Sequence, residues 1–143
     1  MGVDILQEKN GTFWFATMGK GAWKYNPQDN TFKHYTNKDG TSDKTPSQSI
    51  SSNSISSLMQ DSKGNVWLST DRGGLCRYNP KEDNFTRFSV EEGMPDNVAY
   101  KVLEDDYGYL WFGTNRGLVR LNPKRKKSAS SPYTTACAVS IQL

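Results

Sequence analysis

The side chains of this sequence that could do chemistry recur along the chain; they do not converge on one site. Acids stand at Glu8, Asp61, Glu104, Asp105 and Asp106. Two facing carboxylates about 5–10 Å apart could hydrolyse a glycosidic bond. These acids fall at equivalent hairpin ends of a repeating pattern, and no unique pair stands out. Catalysis by this chain is therefore not expected. A second group is Asp71, Arg72, Asn115 and Arg116. Side chains of these types make several hydrogen bonds to sugar hydroxyls or carboxylates, so the four are candidate ligand contacts. The same types also serve turns, because Asp and Asn tolerate left-handed backbone and a Gly permits the bend. Both readings stand at this level. His34 is the single histidine, which excludes multi-His metal sites, and no Ser or Cys relay surrounds it. The run 61–65 (DSKGN) looks like a calcium loop, but its ligand spacing fails the EF-hand pattern. No metal and no cofactor is expected.

The bulk composition narrows the classes. The chain has 143 residues, one ordinary domain's length. Only 34% of residues are hydrophobic, yet 12% are aromatic, and large rings build a core from few residues. Net charge is +3, too balanced to imply nucleic acid. No stretch has the length of a membrane-spanning helix, so no direct membrane insertion is expected. The opening residues show no basic run followed by an apolar one, so no export signal is expected in this segment. Cys76 and Cys137 form no CxxC motif and are read as two thiols, Cys76 as a small buried hydrophobe.

The elements that position these residues are internal repeats. Residues 7–27 read QEKNGTFWFATMGKGAWKYNP, residues 60–80 QDSKGNVWLSTDRGGLCRYNP and residues 104–123 EDDYGYLWFGTNRGLVRLNP. Each has an acid or amide, a Gly turn, an aromatic-rich strand ending in Thr, a Gly loop, a second strand and Asn-Pro. The anchors Trp14, Trp67 and Trp111 are spaced by 53 and 44 residues. A period near 44 suits a four-stranded β-propeller blade, and the excess lies in an insertion within 36–54.

First strands are expected at 5–7, 54–60 and 98–104. Second strands are expected at 13–17, 66–70 and 110–114, third strands at 22–26, 75–79 and 118–122, and fourth strands at 31–35 and 84–88. The second strands are apolar at consecutive positions, as strands covered on both faces are. The expected class is all-β, with about three four-stranded antiparallel blades of an incomplete propeller. Blade 1 spans 4–53 with its insertion, blade 2 54–97 and a partial blade 3 98–127. The tail 128–143 lacks the aromatic pattern of a fourth strand and is either a last strand or the start of a following sandwich domain. The basic run 124–127 (KRKK) follows Asn-Pro at a turn position and is read as a solvated turn.

The segments 110–114 (LWFGT) and 116–123 (RGLVRLNP), with the connector 92–98 (EGMPDNV), resemble the two-component regulator propeller repeat. The resemblance covers about residues 4–123 and recurs three times. It implies the periplasmic sensor region of a hybrid two-component system of the Bacteroides type, whose parent chain is a sensor histidine kinase. Many such systems respond to oligosaccharides released from glycans, which implies an oligosaccharide ligand. Alternatives are a structural propeller for protein partners and, behind it, a fragment of a propeller glycoside hydrolase or lyase.

Blade geometry places loops 18–21, 71–74 and 115–117 on one face with the insertion and the connector 91–97. That face is the candidate recognition surface. The insertion is a ligand lid or a tolerated surface loop. The three tryptophans recur mid-strand and are expected in the core. An open set of blades leaves apolar faces and edges uncovered, so the partners expected are neighbouring blades or further copies, with two chains forming a six-blade ring.

Overall fold

The computed structural model describes residues 3–37, 49–90, 93–124 and the backbone of 133–135. Residues 38–48 of the insertion, 91–92 of the connector, 125–127 of the basic run, and the rest of the tail with Cys137 lie outside the described residues. The described strands form three antiparallel four-stranded sheets. The first holds β1 (Asp4–Gln7), β2 (Phe13–Ala16), β3 (Ala22–Asn26) and β4 (Thr31–Tyr35) in chain order. The second holds β5 (Ile55–Gln60), β6 (Val66–Thr70), β7 (Leu75–Asn79) and β8 (Asn84–Phe88). The third holds β9 (Val102–Glu104), β10 (Leu110–Thr114), β11 (Gly117–Leu121) and β12 (Tyr133–Thr135). The fold is all-β, and these sheets are the blades of an incomplete propeller.

Five strands depart from the expected bounds, three of them by one residue at one end: β1 starts at Asp4, β2 stops at Ala16 and β5 starts at Ile55. β9 begins at Val102 instead of residue 98, because the Ala99 N–H donates to the Thr70 carbonyl of the preceding blade at 3.1 Å. β11 is shifted one residue earlier, because Gly117 pairs with Thr114 across a two-residue hairpin loop. β12 pairs with β11 through Leu121–Tyr133, Arg120–Thr134 and Val119–Thr135. The third blade's fourth strand thus lies beyond the 98–127 span. Of the two readings of the tail, a last strand or the start of a sandwich domain, the pairing of 133–135 is that of a last strand, and backbone ladder bonds need no aromatic pattern.

A carboxylate organises the first hairpin of each blade. Asp61 Oδ1 accepts from the N–H groups of Lys63 and Asn65 at 3.0 and 2.8 Å. Asp61 Oδ2 accepts from the Trp67 indole N–H at 2.9 Å. Asp105 repeats this with Tyr107 N, Tyr109 N and Trp111 Nε1 at 2.8, 2.9 and 2.8 Å. In blade 1 the longer Glu8 takes the Trp14 indole at 2.8 Å, and Asn10 accepts from Thr12 N at 2.9 Å in its stead.

Apolar residues collect in two layers, one between each pair of blades. The first joins Trp14, Ala16, Ala22 and Tyr35 of blade 1 to Val66, Leu68, Cys76, Tyr78 and Phe85 of blade 2. The second joins Trp67, Leu75 and Phe88 of blade 2 to Val102, Leu110, Phe112, Val119 and Leu121 of blade 3. All five residues of β6 are therefore buried, while β2 and β10 alternate between buried and half-buried. Cys76 is buried, with the Ser51 hydroxyl 3.0 Å from its sulfur.

Replacing the fully buried Trp67 by Ala removes a ring from the second layer. The expected loss is roughly 3–5 kcal/mol, comparable with the whole stability of a small domain. Urea denaturation checks it, and an unchanged midpoint would contradict the assignment of Trp67 to the core.

Candidate functional site

Each loop between second and third strand is closed by a threonine. The hydroxyls of Thr17, Thr70 and Thr114 donate to the carbonyls of Gly21, Gly74 and Gly117 at 2.9, 2.8 and 2.9 Å. The same oxygens accept from Lys20 N, Gly73 N and Arg116 N, each at 3.1 Å. These loops then bond to the connectors of the next blade. Gly21 N donates to the Asn53 carbonyl at 2.8 Å, and Gly74 N to the Asn97 carbonyl at 2.7 Å. The side chains of these asparagines close the connectors. Asn53 Oδ1 accepts from Asn37 N, 16 residues back, and Asn97 Oδ1 from Val90 N, 7 residues back. One asparagine thus seals a long connector and a short one with the same bonds. The insertion leaves and returns at this closure without disturbing the sheets.

Of the four candidate contacts, Asp71 is half-buried and donates its N–H to the Ser54 carbonyl at 2.9 Å. Arg72 is exposed, with φ of 76°. The equivalent residue of blade 1 is Gly19, with φ of 110°. Positive φ suits glycine and costs an L-residue about 1–2 kcal/mol. The two glycines that follow Arg72 are required elsewhere. A Cβ on Gly73 would lie 2.5 Å from Ser51 Oγ, and one on Gly74 would lie 2.1 Å from the Phe88 carbonyl oxygen. Asn115 is exposed, but its Oδ1 accepts from the Tyr100 hydroxyl at 2.6 Å and its N–H donates to Asp96 Oδ2 at 3.0 Å. Arg116 is exposed beside it.

The connector joins the two pairs into one surface, with Asn97 holding the Arg72 loop and Asp96 holding Asn115. Asp96, Asn97, Asn53 and Tyr100 were not singled out from the sequence. For the asparagines the signal was present, since each stands two residues before the equivalent positions Ile55 and Ala99. Trp14 and Trp67 are fully buried and offer no stacking platform. His34 stacks on Trp23 at 3.9 Å and donates from Nε2 to the Lys20 carbonyl at 2.7 Å, so it braces blade 1. The hairpin acids hold indoles and turns. Glu104 instead accepts from the N–H and hydroxyl of Ser62, both at 2.8 Å.

The sequence pattern of the two component regulator propeller matches residues 49–72 and 93–116, each running from a connector into a candidate loop. Those two segments are two-component regulator propeller repeats. Histidine kinase P4 of Formosa agariphila is 34% identical, over 84% of this chain and 12% of that protein. The extracellular domain of a protein assigned as a hybrid two-component system from B. thetaiotaomicron superposes with a TM-score of 0.72 at 24% identity. That superposition covers 92% of this chain and 18% of the other. Virginiamycin B lyase from Staphylococcus aureus superposes at 0.64 with 19% identity, over 87% and 39%. At these identities the structural likeness is one of fold. The regulator propeller chain thus spans about an eighth of its curated relative and under a fifth of the two-component structure.

Within the regulator propeller blades, the Asp105 carboxyl is held below the ordinary carboxylate range. The Trp111 indole N–H is the main cause; the N–H groups of Tyr109 and Tyr107 and the Arg120 guanidinium add to it, against desolvation. A depressed folded pKa contributes stability that is complete above the unfolded value of about 4 and is lost as pH falls through the folded value. The chain is expected to lose stability below about pH 4, and Asp105→Asn to flatten part of that loss. Denaturant midpoints of both proteins against pH check this, and identical profiles would contradict it.

Proposed function

We propose that this regulator propeller segment is part of the signal-input region of a sensor histidine kinase, lies outside the cytoplasmic membrane, and takes a glycan-derived oligosaccharide on its loop face. The curated relative is named a histidine kinase, and solved neighbours are extracellular domains assigned to hybrid two-component systems. The segment itself is read as non-catalytic, because its recurring acids serve hairpins and blade contacts.

One observation carries the ligand reading. Arg72 occupies a backbone conformation that blade 1 gives to glycine, and it extends a cation from the loop face. Backbone strain of this kind concentrates at functional positions. Arg72 and Arg116 supply planar donors for hydroxyls or carboxylates, and Asp71 supplies an acceptor. Asn115 retains its amide N–H donors, while its oxygen is engaged by Tyr100.

Arg72→Gly separates stability from recognition. Relief of the left-handed strain is expected to leave the melting temperature unchanged or to raise stability by up to about 1 kcal/mol. In the full sensor region, calorimetric titration with a panel of neutral and uronic-acid oligosaccharides is expected to find a ligand. The variant is then expected to bind it about tenfold or more weakly, the worth of one charge-assisted hydrogen bond. Undiminished affinity in both Arg72→Gly and Arg116→Ala would reject the recognition surface and leave the scaffold reading.

A further inference from the structure

The two blade joints inside the chain are built alike, and both outer faces carry the parts of a third. In each joint the first hairpin of one blade donates an N–H to a side chain of the next. Lys9 N donates to Gln60 Oε1 at 3.0 Å, and Ser62 N to Glu104 Oε1 at 2.8 Å. In each joint the residue opening the next blade bonds a threonine carbonyl, Ile55 N to Thr17 and Ala99 N to Thr70, at 2.9 and 3.1 Å. A cation paired across the ladder from the tryptophan completes the layer. Lys24 donates to the Tyr78 hydroxyl at 2.7 Å. In the second joint Leu121 stands at the position of Tyr78, and Arg77 lies over the rings of Trp67 and Phe88 at 5.7 Å.

The two faces of a blade are of different kinds, one carrying the tryptophan and one carrying the residues that cover a tryptophan. Blade 3 presents the tryptophan kind outward, with Trp111, Leu103 and Arg120 in one row across the sheet. Blade 1 presents the covering kind, with Ile5 and Phe15 beside Trp23, and Phe13 and Tyr25 beside Phe32. Phe32 is 64% exposed where its counterpart Phe85 is fully buried, and Ile5 is 59% exposed where Val102 is 2%. Leu103 is 63% exposed, while its counterparts Leu6 and Met59 pack into the two layers.

The polar parts correspond as well. Gln7 stands where Gln60 and Glu104 stand, and Asp106 where Lys9 and Ser62 stand. Tyr25 donates to Asn30 Oδ1 at 3.0 Å as Tyr78 donates to Asp83 Oδ1 at 2.7 Å, and Asn30 and Asp83 share a φ of 55°. Arg120 occupies the position of Lys24, so the tyrosine hydroxyl on blade 1 is the partner its position calls for.

We propose that the outer face of blade 3 docks on the outer face of blade 1 of a second copy of this chain, head to tail. Each face is complementary to the other and not to itself, so the contact is heterologous. Arg120 of one copy then reaches Tyr25 of the other, and Gln7 receives the Asp106 N–H.

Sedimentation velocity of the 143-residue chain tests this, with Phe32→Glu and Leu103→Glu as variants. Both side chains are mostly exposed within one copy, so both variants are expected to keep the β-sheet circular dichroism of the parent. The parent is expected to sediment as a dimer or larger, and each variant alone as a monomer. An equimolar mixture of the two is expected to form a heterodimer through the one joint left intact. A monomeric parent across a wide concentration range overturns the proposal. So does a single variant that still associates fully, or a mixture that stays monomeric; the first of these outcomes would mark a self-complementary contact.

Discussion

A buried indole N–H must find an acceptor, and the rest of this structure depends on how that demand is met. Trp67 is sealed between two blades, so its N–H has no water to donate to. Leaving such a donor unpaired costs about 1–3 kcal/mol. The answer is a carboxylate six residues earlier, at the end of the neighbouring strand. Its second oxygen collects the hairpin's own N–H groups. One side chain therefore sets the turn, fixes the strand register and orients the ring that the next blade covers. Asp105 does the same for Trp111, whereas Glu8 takes the Trp14 indole and leaves the turn N–H to Asn10. Three of the acids weighed as catalytic groups, Glu8, Asp61 and Asp105, are explained by this recurring duty.

The blade is also a unit that cannot stand alone. Its core is not within the sheet but between sheets, so each blade supplies half of two layers. The middle blade shows the consequence, with β6 buried along its whole length. The outer blades keep the same residue types but leave one face open. Trp111 makes the same indole bond as Trp67 but is half-buried, because no blade among the described residues covers it. Polar contacts also cross between the sheets, with Leu58 N donating to Asp4, Lys24 to the Tyr78 hydroxyl and Tyr35 to Asp83.

Variation is found where the repeat tolerates it. The connector after blade 1 is much longer than the one after blade 2, yet Asn53 and Asn97 close both with identical bonds. The loop face varies in the same manner. Gly73 and Gly74 are held by the close approach of Ser51 and Phe88, while the position before them changes from glycine to arginine. A rigid frame with free choice at such positions is how one repeat can serve different ligands.

The sequence by itself determined the repeat, the class and most strand positions, because apolar runs, Gly turns and Asn-Pro breaks are local signals. β3, β4, β6, β7, β8 and β10 fall on the residues their pattern indicated. It also marked Arg72 and Arg116 as chemically able. It did not reveal that Asn115 is engaged by Tyr100, or that Asp96 and Asn97 bind the two loops together. Those bonds tie the loops to a connector at least 15 residues away in the chain, and no local spacing encodes them. The start of β9 was missed for the same reason, since Ala99 is held by Thr70 of another sheet. The fourth strand of blade 3 was decided by backbone pairing with β11, which is indifferent to side-chain type. Local chemistry wrote the blade; only the packing of one blade on the next decided which side chains are bound, buried or left to meet a partner.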